Sequence, residues 1–418
     1  MLIKNGHVID PANGIDAVAD IFVKNKKIGG VITKPGNKTG TETEIIDATG
    51  MWVVPGLIDM HVHLRDPGQI HKESIETGTR AAAAGGFTTL CCMPNTSPVI
   101  DNETIVKYIF SKAAEAGKVR VIPVGSITKG LEGAEISAIK EMKAAGICAI
   151  SDDGKSVQNP VLFKAAMEQA KSLGLPVLSH CEEEEEMIMR DIILAGEVGA
   201  ALHICHVSTA GGVELIRAAQ KAGQNVTAEV APHHFTLTQE DIPCNNRNPA
   251  NTQEGIPCNN RNSENPANFK MSPPLRQAKD RAAIFDALKD GTISVIATDH
   301  APHHADEKNC SFENALNGII GLETAVPLAI TELVKTGILS PSQMIAMFTA
   351  NPAKILGLRA GSLSVGASAD ITIIDPEASR VIDKNKFYSM SKNTPFHGRK
   401  TTGCVVYTIA EGKIIYAD

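Results

Sequence analysis

From about residue 53 onward, short apolar runs alternate with longer stretches rich in Ala, Lys and Glu. The runs cover 53–61, 88–93, 119–127, 146–152, 176–181, 202–208, 225–232 and 293–299. Short apolar runs bounded by polar segments read as buried strands. The stretches at 72–84, 101–116, 135–145, 160–173 and 210–222 read as helices. The early repeat is roughly 25–35 residues, the size of one strand–helix–strand unit. Eight units predict an α/β fold, a (β/α)8 barrel of the TIM type, with its chemistry at the carboxyl ends of the strands. A doubly wound sheet is the alternative, and it is disfavoured because no Gly-rich phosphate loop opens the first helix.

The two chain ends follow another rhythm. Residues 2–9 and 21–28 are short strand-like runs with Asn-led turns, and the pattern returns at 369–376 and 405–416. Residues 1–54 and 359–418 are therefore expected to form one composite β-sandwich domain, with the barrel domain, 55–358, inserted between them. Inside the barrel region, Ile242-Pro243-Cys244-Asn245-Asn246-Arg247-Asn248 recurs as Ile256-Pro257-Cys258-Asn259-Asn260-Arg261-Asn262. Its Asn and Pro content predicts a polar surface loop.

Composition narrows the function. At 418 residues the chain exceeds one barrel of about 250 residues, which leaves room for a smaller domain. Its 43% apolar and 21% charged content is that of an ordinary globular protein. A net charge of −7 argues against nucleic acid as a partner. No run approaches the ~20 apolar residues of a membrane span. The first residues lack the apolar core of a signal peptide. Nine scattered cysteines without a C-x-x-C pair read as reduced thiols, so a cytoplasmic location is expected.

Candidate chemistry lies on the strand ends. Alternate side chains of a strand share a face, so His61 and His63 point into one site. Further on, Asp152-Asp153, His180, His203 with His206, and Asp299 also fall at strand ends. Five of the eight strands thus carry His or Asp at the rim where this fold places its active sites. Imidazole with carboxylate suits zinc, manganese or cobalt. Four His and two Asp exceed the three protein ligands of a single catalytic zinc. Two metals sharing a carboxylate would use them all. Asp152 and Asp153 face opposite ways, so one of them bridges. His203 and His206 are an odd number apart, which leaves His203 in the core or on the rim. His233-His234, beyond strand seven, are secondary candidates. The run Glu182–Glu186 reads as a solvated first helix turn, where acidic side chains suit the helix dipole.

Several stretches together carry a resemblance. They are Asp59-Met60-His61-Val62-His63-Leu64-Arg65-Asp66-Pro67-Gly68, Met93-Pro94-Asn95-Thr96-Ser97-Pro98, Asp152-Asp153-Gly154, His180-Cys181-Glu182, His206-Val207-Ser208-Thr209, Ala228-Glu229-Val230-Ala231-Pro232-His233-His234, Ala297-Thr298-Asp299-His300-Ala301-Pro302-His303, Gly321-Leu322-Glu323-Thr324-Ala325 and Asn393-Thr394-Pro395-Phe396. The chain resembles the amidohydrolase superfamily and, within it, the class I dihydroorotases of bacteria. The resemblance implies two Zn2+ per chain. His61, His63 and Asp299 would hold the first and His180 and His206 the second, with Asp153 as the bridge in place of a carbamylated lysine. Lys155 is the only nearby lysine. Asp299 would be the catalytic proton carrier. Arg65, Asn95 and His303 would bind the substrate carboxylate.

The implied reaction is the reversible hydrolysis of dihydroorotate to N-carbamoyl-aspartate in pyrimidine biosynthesis. Arg65 favours such an anionic substrate, because a buried unpaired charge is costly. Two departures bear on this. Ser272 stands where dihydroorotases usually have an Asn that helps hold the ring; hydantoinases often have Ser there. Only 25 residues separate His180 from His206, where the family carries a longer segment. Hydantoinase, dihydropyrimidinase or allantoinase activity is the alternative, and a non-catalytic dihydroorotase-like subunit is a third reading, opposed by the complete ligand set. Expected partners are the small-molecule substrate, a second copy in a homodimer, and another pyrimidine-pathway enzyme.

Overall fold

The barrel strands are short and almost wholly buried. In the computed structural model, which describes residues 1–33, 44–243 and 265–418, the strands are Leu57–Val62, Phe87–Cys92, Arg120–Pro123, an extended piece at Ile150, Val177–Ser179, Leu202–Ile204, Val226–Val230 and Val295–Ile296. Neighbours pair in parallel around the series, with Ile150 bridging both Gly125 and Val177. Val62 pairs with His300 just past the last strand, and His63 N donates to His300 O at 2.8 Å. The ring of eight is thereby closed, as a (β/α)8 barrel requires.

Helices Ile75–Ala84, Glu103–Ala116, Ile139–Ala145, Pro160–Ser172, Glu184–Val198, Ala210–Lys221 and Ala278–Asp290 follow the successive strands. Several begin where a side chain satisfies the free amides of the first turn. Ser74 accepts from Thr77 N, Asn102 from Thr104 N, Asn159 from Val161 N and Thr209 from Gly212 N.

The run at 53–61 is not one strand. Trp52–Pro55 pairs antiparallel with Ile371–Val381 in a separate sheet, and the barrel begins at Leu57. Gly56 makes the transfer. Its N–H donates to Asp370 O at 2.8 Å, and a Cβ there would lie 2.3 Å from Thr88 Oγ1. Apolar content alone could not reveal the break, because both pieces are fully buried. The repeated segment at 242–262 lies outside the described residues from 244 onward.

Both chain ends build the separate sheet. Its order is Lys413–Ala417, Lys400–Ala410, Ile371–Val381, Trp52–Pro55, Leu2–Asp10, Ile15–Lys24 and Lys27–Ile32, with Ile45–Asp47 also paired to Leu2–Asp10. Ile3, Val8, Ile21, Val53, Ile371 and Ile409 form its own core. Two threonines fasten it to the barrel: Thr372 Oγ1 donates to Gly86 O and Thr408 Oγ1 to Ala83 O, each at 2.6 Å.

Gly86 has φ +89°, and a Cβ there would meet Thr372 Cγ2 at 2.8 Å. Gly86→Val should therefore cost about 1–3 kcal/mol through strain and overpacking. Calorimetry should show a Tm lowered by several degrees. An unchanged Tm would mean that the sheet is not held closely against the barrel here.

Candidate metal centre and active site

The strand ends converge on Asp153. Its Oδ1 lies 3.2 Å from His61 Nε2, 3.4 Å from His180 Nδ1 and 3.7 Å from His206 Nε2, and its Oδ2 lies 3.3 Å from His63 Nε2. Asp299 Oδ1 lies 3.2 Å from His63 Nε2 and 3.6 Å from His61 Nε2. His180 Nδ1 and His206 Nε2 are 2.8 Å apart. None of the six side chains belongs to a residue more than 6% exposed. Asp152 faces away. Its carboxylate accepts from Ile127 N at 2.7 Å, Thr128 N at 3.0 Å and Thr128 Oγ1, fixing the loop after strand three.

The field in this cluster suits a cation. Burial opposes ionisation of Asp153, but His61, His180 and His206 outweigh it and hold the carboxyl well below the usual carboxylate range. Asp299 is likewise depressed against burial, by His63, His61 and His206. Burial works against an imidazolium at His61, yet Asp153 and Glu229 raise its pKa well above the ordinary value. His61 Nε2 and Asp153 Oδ1 are buried and in no hydrogen bond. Orphaned lone pairs that converge in this way fit a divalent metal. The groups His61–Asp153–His206 and His61–His63–Asp299 are each compact enough to hold one.

Two partners settle which nitrogens face inward. His61 Nδ1 donates to Glu229 Oε1 at 2.6 Å, and His63 Nδ1 donates to Asn95 Oδ1 at 2.8 Å. Both rings then present a bare Nε2 to the cluster, the tautomer that a metal needs. Asn95 thus touches a histidine of the cluster. Glu229 had no role in the sequence reading. Its signal was a lone carboxylate in the middle of an apolar strand, which burial forces to find a partner. Glu184 corrects a second expectation: it is 6% exposed rather than solvated. It accepts from Ser208 N and Thr209 N, both at 2.8 Å, and lies 3.5 Å from Arg276. The loop after His206 is held by it. Glu182, Glu183, Glu185 and Glu186 are exposed, as expected.

Arg65 reaches the rim of the same site. Its Nε donates to Pro302 O at 3.1 Å, and Nη2 lies 3.4 Å from His303 Nε2. Burial lowers its pKa to about 10, so it remains a cation at neutral pH. Among the described residues it has no ion-pair partner. His303 Nε2 donates to Asn317 O at 2.7 Å, and burial together with Arg65 lowers its pKa to about 3, so the ring is neutral. Asn393 pins this rim, accepting from His303 N and donating to Ala301 O and Gly318 O. Ser272 precedes Pro273, whose carbonyl accepts from His234 Nε2 at 3.1 Å. His233 and His234 are buried in the turn Pro232–Thr236. Burial lowers the His233 pKa to about 4; among the cluster's charges Asp299 opposes the shift, while His206 and His61 add to it.

A closed barrel with convergent imidazoles and carboxylates at the carboxyl ends of its strands defines a class: barrel hydrolases built for divalent metal. The chain belongs to the amidohydrolase family, whose sequence model matches residues 52–415. The dihydroorotase of Acetivibrio thermocellus is 47% identical to it over 446 aligned positions, covering 100% of this chain and 99% of that protein. The dihydroorotase of Syntrophotalea carbinolica is 47% identical, with the same coverage of both chains. Among solved structures, the L-hydantoinase (dihydropyrimidinase) of Arthrobacter aurescens superposes with a TM-score of 0.87 at 25% identity, covering 99% of this chain and 95% of that one. The D-hydantoinase (dihydropyrimidinase) of Thermus sp. gives 0.83 at 25% identity, covering 99% and 94%.

Glu229→Gln should weaken divalent-metal binding about 10–100-fold, the usual effect of losing a carboxylate behind a ligating histidine. Metal content after dialysis against graded chelator measures this. Retention equal to wild type would leave Glu229 a purely structural group.

Proposed function

We propose that the protein is a dihydroorotase, catalysing the reversible hydrolysis of dihydroorotate to N-carbamoyl-aspartate with two Zn2+ bound per chain. The observation that carries the substrate class is Arg65: a buried cation at the rim of the centre that forms no ion pair among the described residues. An unpaired buried charge is expensive, and an anionic substrate supplies the missing partner. Asp153 would bridge two ions, His61, His63 and Asp299 would hold one, and His180 and His206 would hold the other. Bound divalent metal supplies an acidified water and a polarised amide carbonyl.

The protein side chains do the rest. Asp299, kept ionised by its neighbours, takes a proton from the attacking water and returns it to the departing ring nitrogen. Arg65 pairs with the substrate carboxylate, with neutral His303 and Asn95 beside it, so that the scissile carbonyl sits over the centre. Such fixing matters because misplacement by about 1 Å can cost ~100-fold. Ser272 lies on the loop assigned to the ring. The same reading takes 55–358 as the hydrolase domain and 1–54 with 359–418 as a second domain. It also carries a homodimer, association with another pyrimidine-pathway enzyme, and the cytoplasm as the place of action. No helix among the described residues is long and apolar enough to cross a membrane.

Ser272 and the likeness to hydantoinase structures favour a second reading, in which the substrate is a neutral cyclic imide. Turnover of dihydroorotate, hydantoin and allantoin by one preparation separates the two. Chelation should abolish turnover, and added zinc should restore it; full activity in metal-free protein would refute the metal reading. Arg65→Met should leave metal content unchanged and lower kcat/KM for dihydroorotate by about 1.5–3 kcal/mol or more. A neutral cyclic imide should lose far less. Equal losses on both substrates would remove the anionic-substrate assignment.

A further inference from the structure

Strand seven interrupts an apolar interior. Cys91, Val124, Cys148, Leu178, Cys205 and Val295, each from a different barrel strand or its end, belong to one buried cluster. Strand seven contributes no residue to that cluster. Its Thr227 and Glu229 are polar, and they stand two apart on one strand face. His203, fully buried, lies in register with Thr227 on strand six. Buried polar groups cost free energy unless each finds a partner. His203 and Glu229 are buried and Thr227 is half-buried, and the three are joined in series. Thr227 Oγ1 is 2.8 Å from His203 Nδ1, His203 Nε2 is 3.2 Å from Glu229 Oε2, and Glu229 Oε1 is 2.6 Å from His61 Nδ1.

The donor inventory gives the series one direction. An ionised carboxylate only accepts. His61 therefore donates from Nδ1 and His203 from Nε2. A neutral His203 then has a lone pair on Nδ1, and the Thr227 hydroxyl donates to it. The other acceptor near that hydroxyl, Leu202 O, is 3.5 Å away and too long to compete. With Thr227 donating, His203 cannot adopt the opposite tautomer. Glu229 is in turn held at both oxygens and cannot rotate away from His61. The far end opens on a cavity of about 330 Å³ lined by Thr227, Pro176, Asn225, Ser294 and Lys354, at the amino ends of the strands. The series thus runs from the opposite mouth of the barrel to the metal centre.

We infer that His203 and Thr227 are positioning residues for the metal, acting through Glu229 to fix the tautomer and ring orientation of His61. The inference rests on the metal reading proposed above and extends it to two residues that touch neither substrate nor metal. Thr227→Val removes the hydroxyl at nearly constant shape. His203→Leu removes both ring nitrogens, while His203→Gln retains an N–H donor able to reach Glu229. The readout is zinc retained against graded chelator, with Tm and circular dichroism recorded on the zinc-free proteins.

Thr227→Val should weaken retention about tenfold and His203→Leu by 10–100-fold, the range known for groups behind metal ligands. His203→Gln should recover most of the loss. Equal retention in all three variants, with only Tm lowered, would overturn the inference and leave a structural network. Should His203→Leu fail to fold, Thr227→Val decides alone. A wild type that retains no zinc would overturn the metal reading itself, and the inference with it.

Discussion

Closure of the barrel between its first and last strands is the constraint on which the site depends. His63 and Asp299 are 236 positions apart, yet their side chains lie 3.2 Å from each other. The seam is built by a buried carboxylate. Asp59 accepts from His61 N at 3.2 Å, Thr298 N at 3.1 Å and Thr298 Oγ1 at 2.5 Å. One side chain thus ties the backbone of a first-strand histidine to the residue before Asp299. Asp59 is fully buried, and burial raises its pKa to about 7 despite these bonds. The Val62–His300 bridge continues the same seam one step further toward the rim.

What the seam brings together is electrostatically demanding. The depressed carboxyls, Asp153 and Asp299, contribute stability above the ordinary carboxylate pKa, and lose it as pH falls toward their folded values. His61, raised by Asp153 and Glu229, behaves in the opposite sense: a proton there stabilises below the ordinary imidazole pKa, and that gain is lost as pH rises through the folded value. The pocket therefore wants positive charge, and a proton on His61 is one way to supply it. A metal ion is another, and it competes with that proton for the same nitrogen. Arg65 carries a second positive charge nearby, weakened by burial, at the rim where a substrate anion can meet it.

The alternation of apolar runs and helical stretches made the barrel legible, and the histidines and aspartates at strand ends made the six-residue cluster legible. Each of those signals is local. What escaped depends on pairing across the barrel. Glu229 and His203 matter through bonds between strands one, six and seven, which no spacing in the chain encodes. Glu184 sits in a run of five identical residues, and only the packing of the helix against the loop after His206 buries that one. The break at Gly56 was hidden because two sheets take up one continuous apolar run. Ser272 shows the converse: the motif identifies the position, but the residue type does not choose between the two substrate readings.

Three of the eight non-glycine residues with positive φ among the described residues lie in the site. Arg65, His206 and Asp299 have φ of 60°, 33° and 47°, a region that side chains other than glycine rarely adopt. Each such residue costs on the order of 1–3 kcal/mol and persists only where its surroundings overdetermine it. The surroundings are specific. Gln69 N donates to Arg65 O, His206 N lies within 3.4 Å of Glu229 Oε1, and Asp299 follows the threonine held by Asp59. A glycine would relieve the strain at each position but would remove a cation, an imidazole or a carboxylate. The hydrogen bonds that hold these turns therefore serve the geometry of the centre as much as the stability of the barrel. Glu229 shows the two roles joined in one side chain: it steadies the backbone of one cluster histidine and the ring of another.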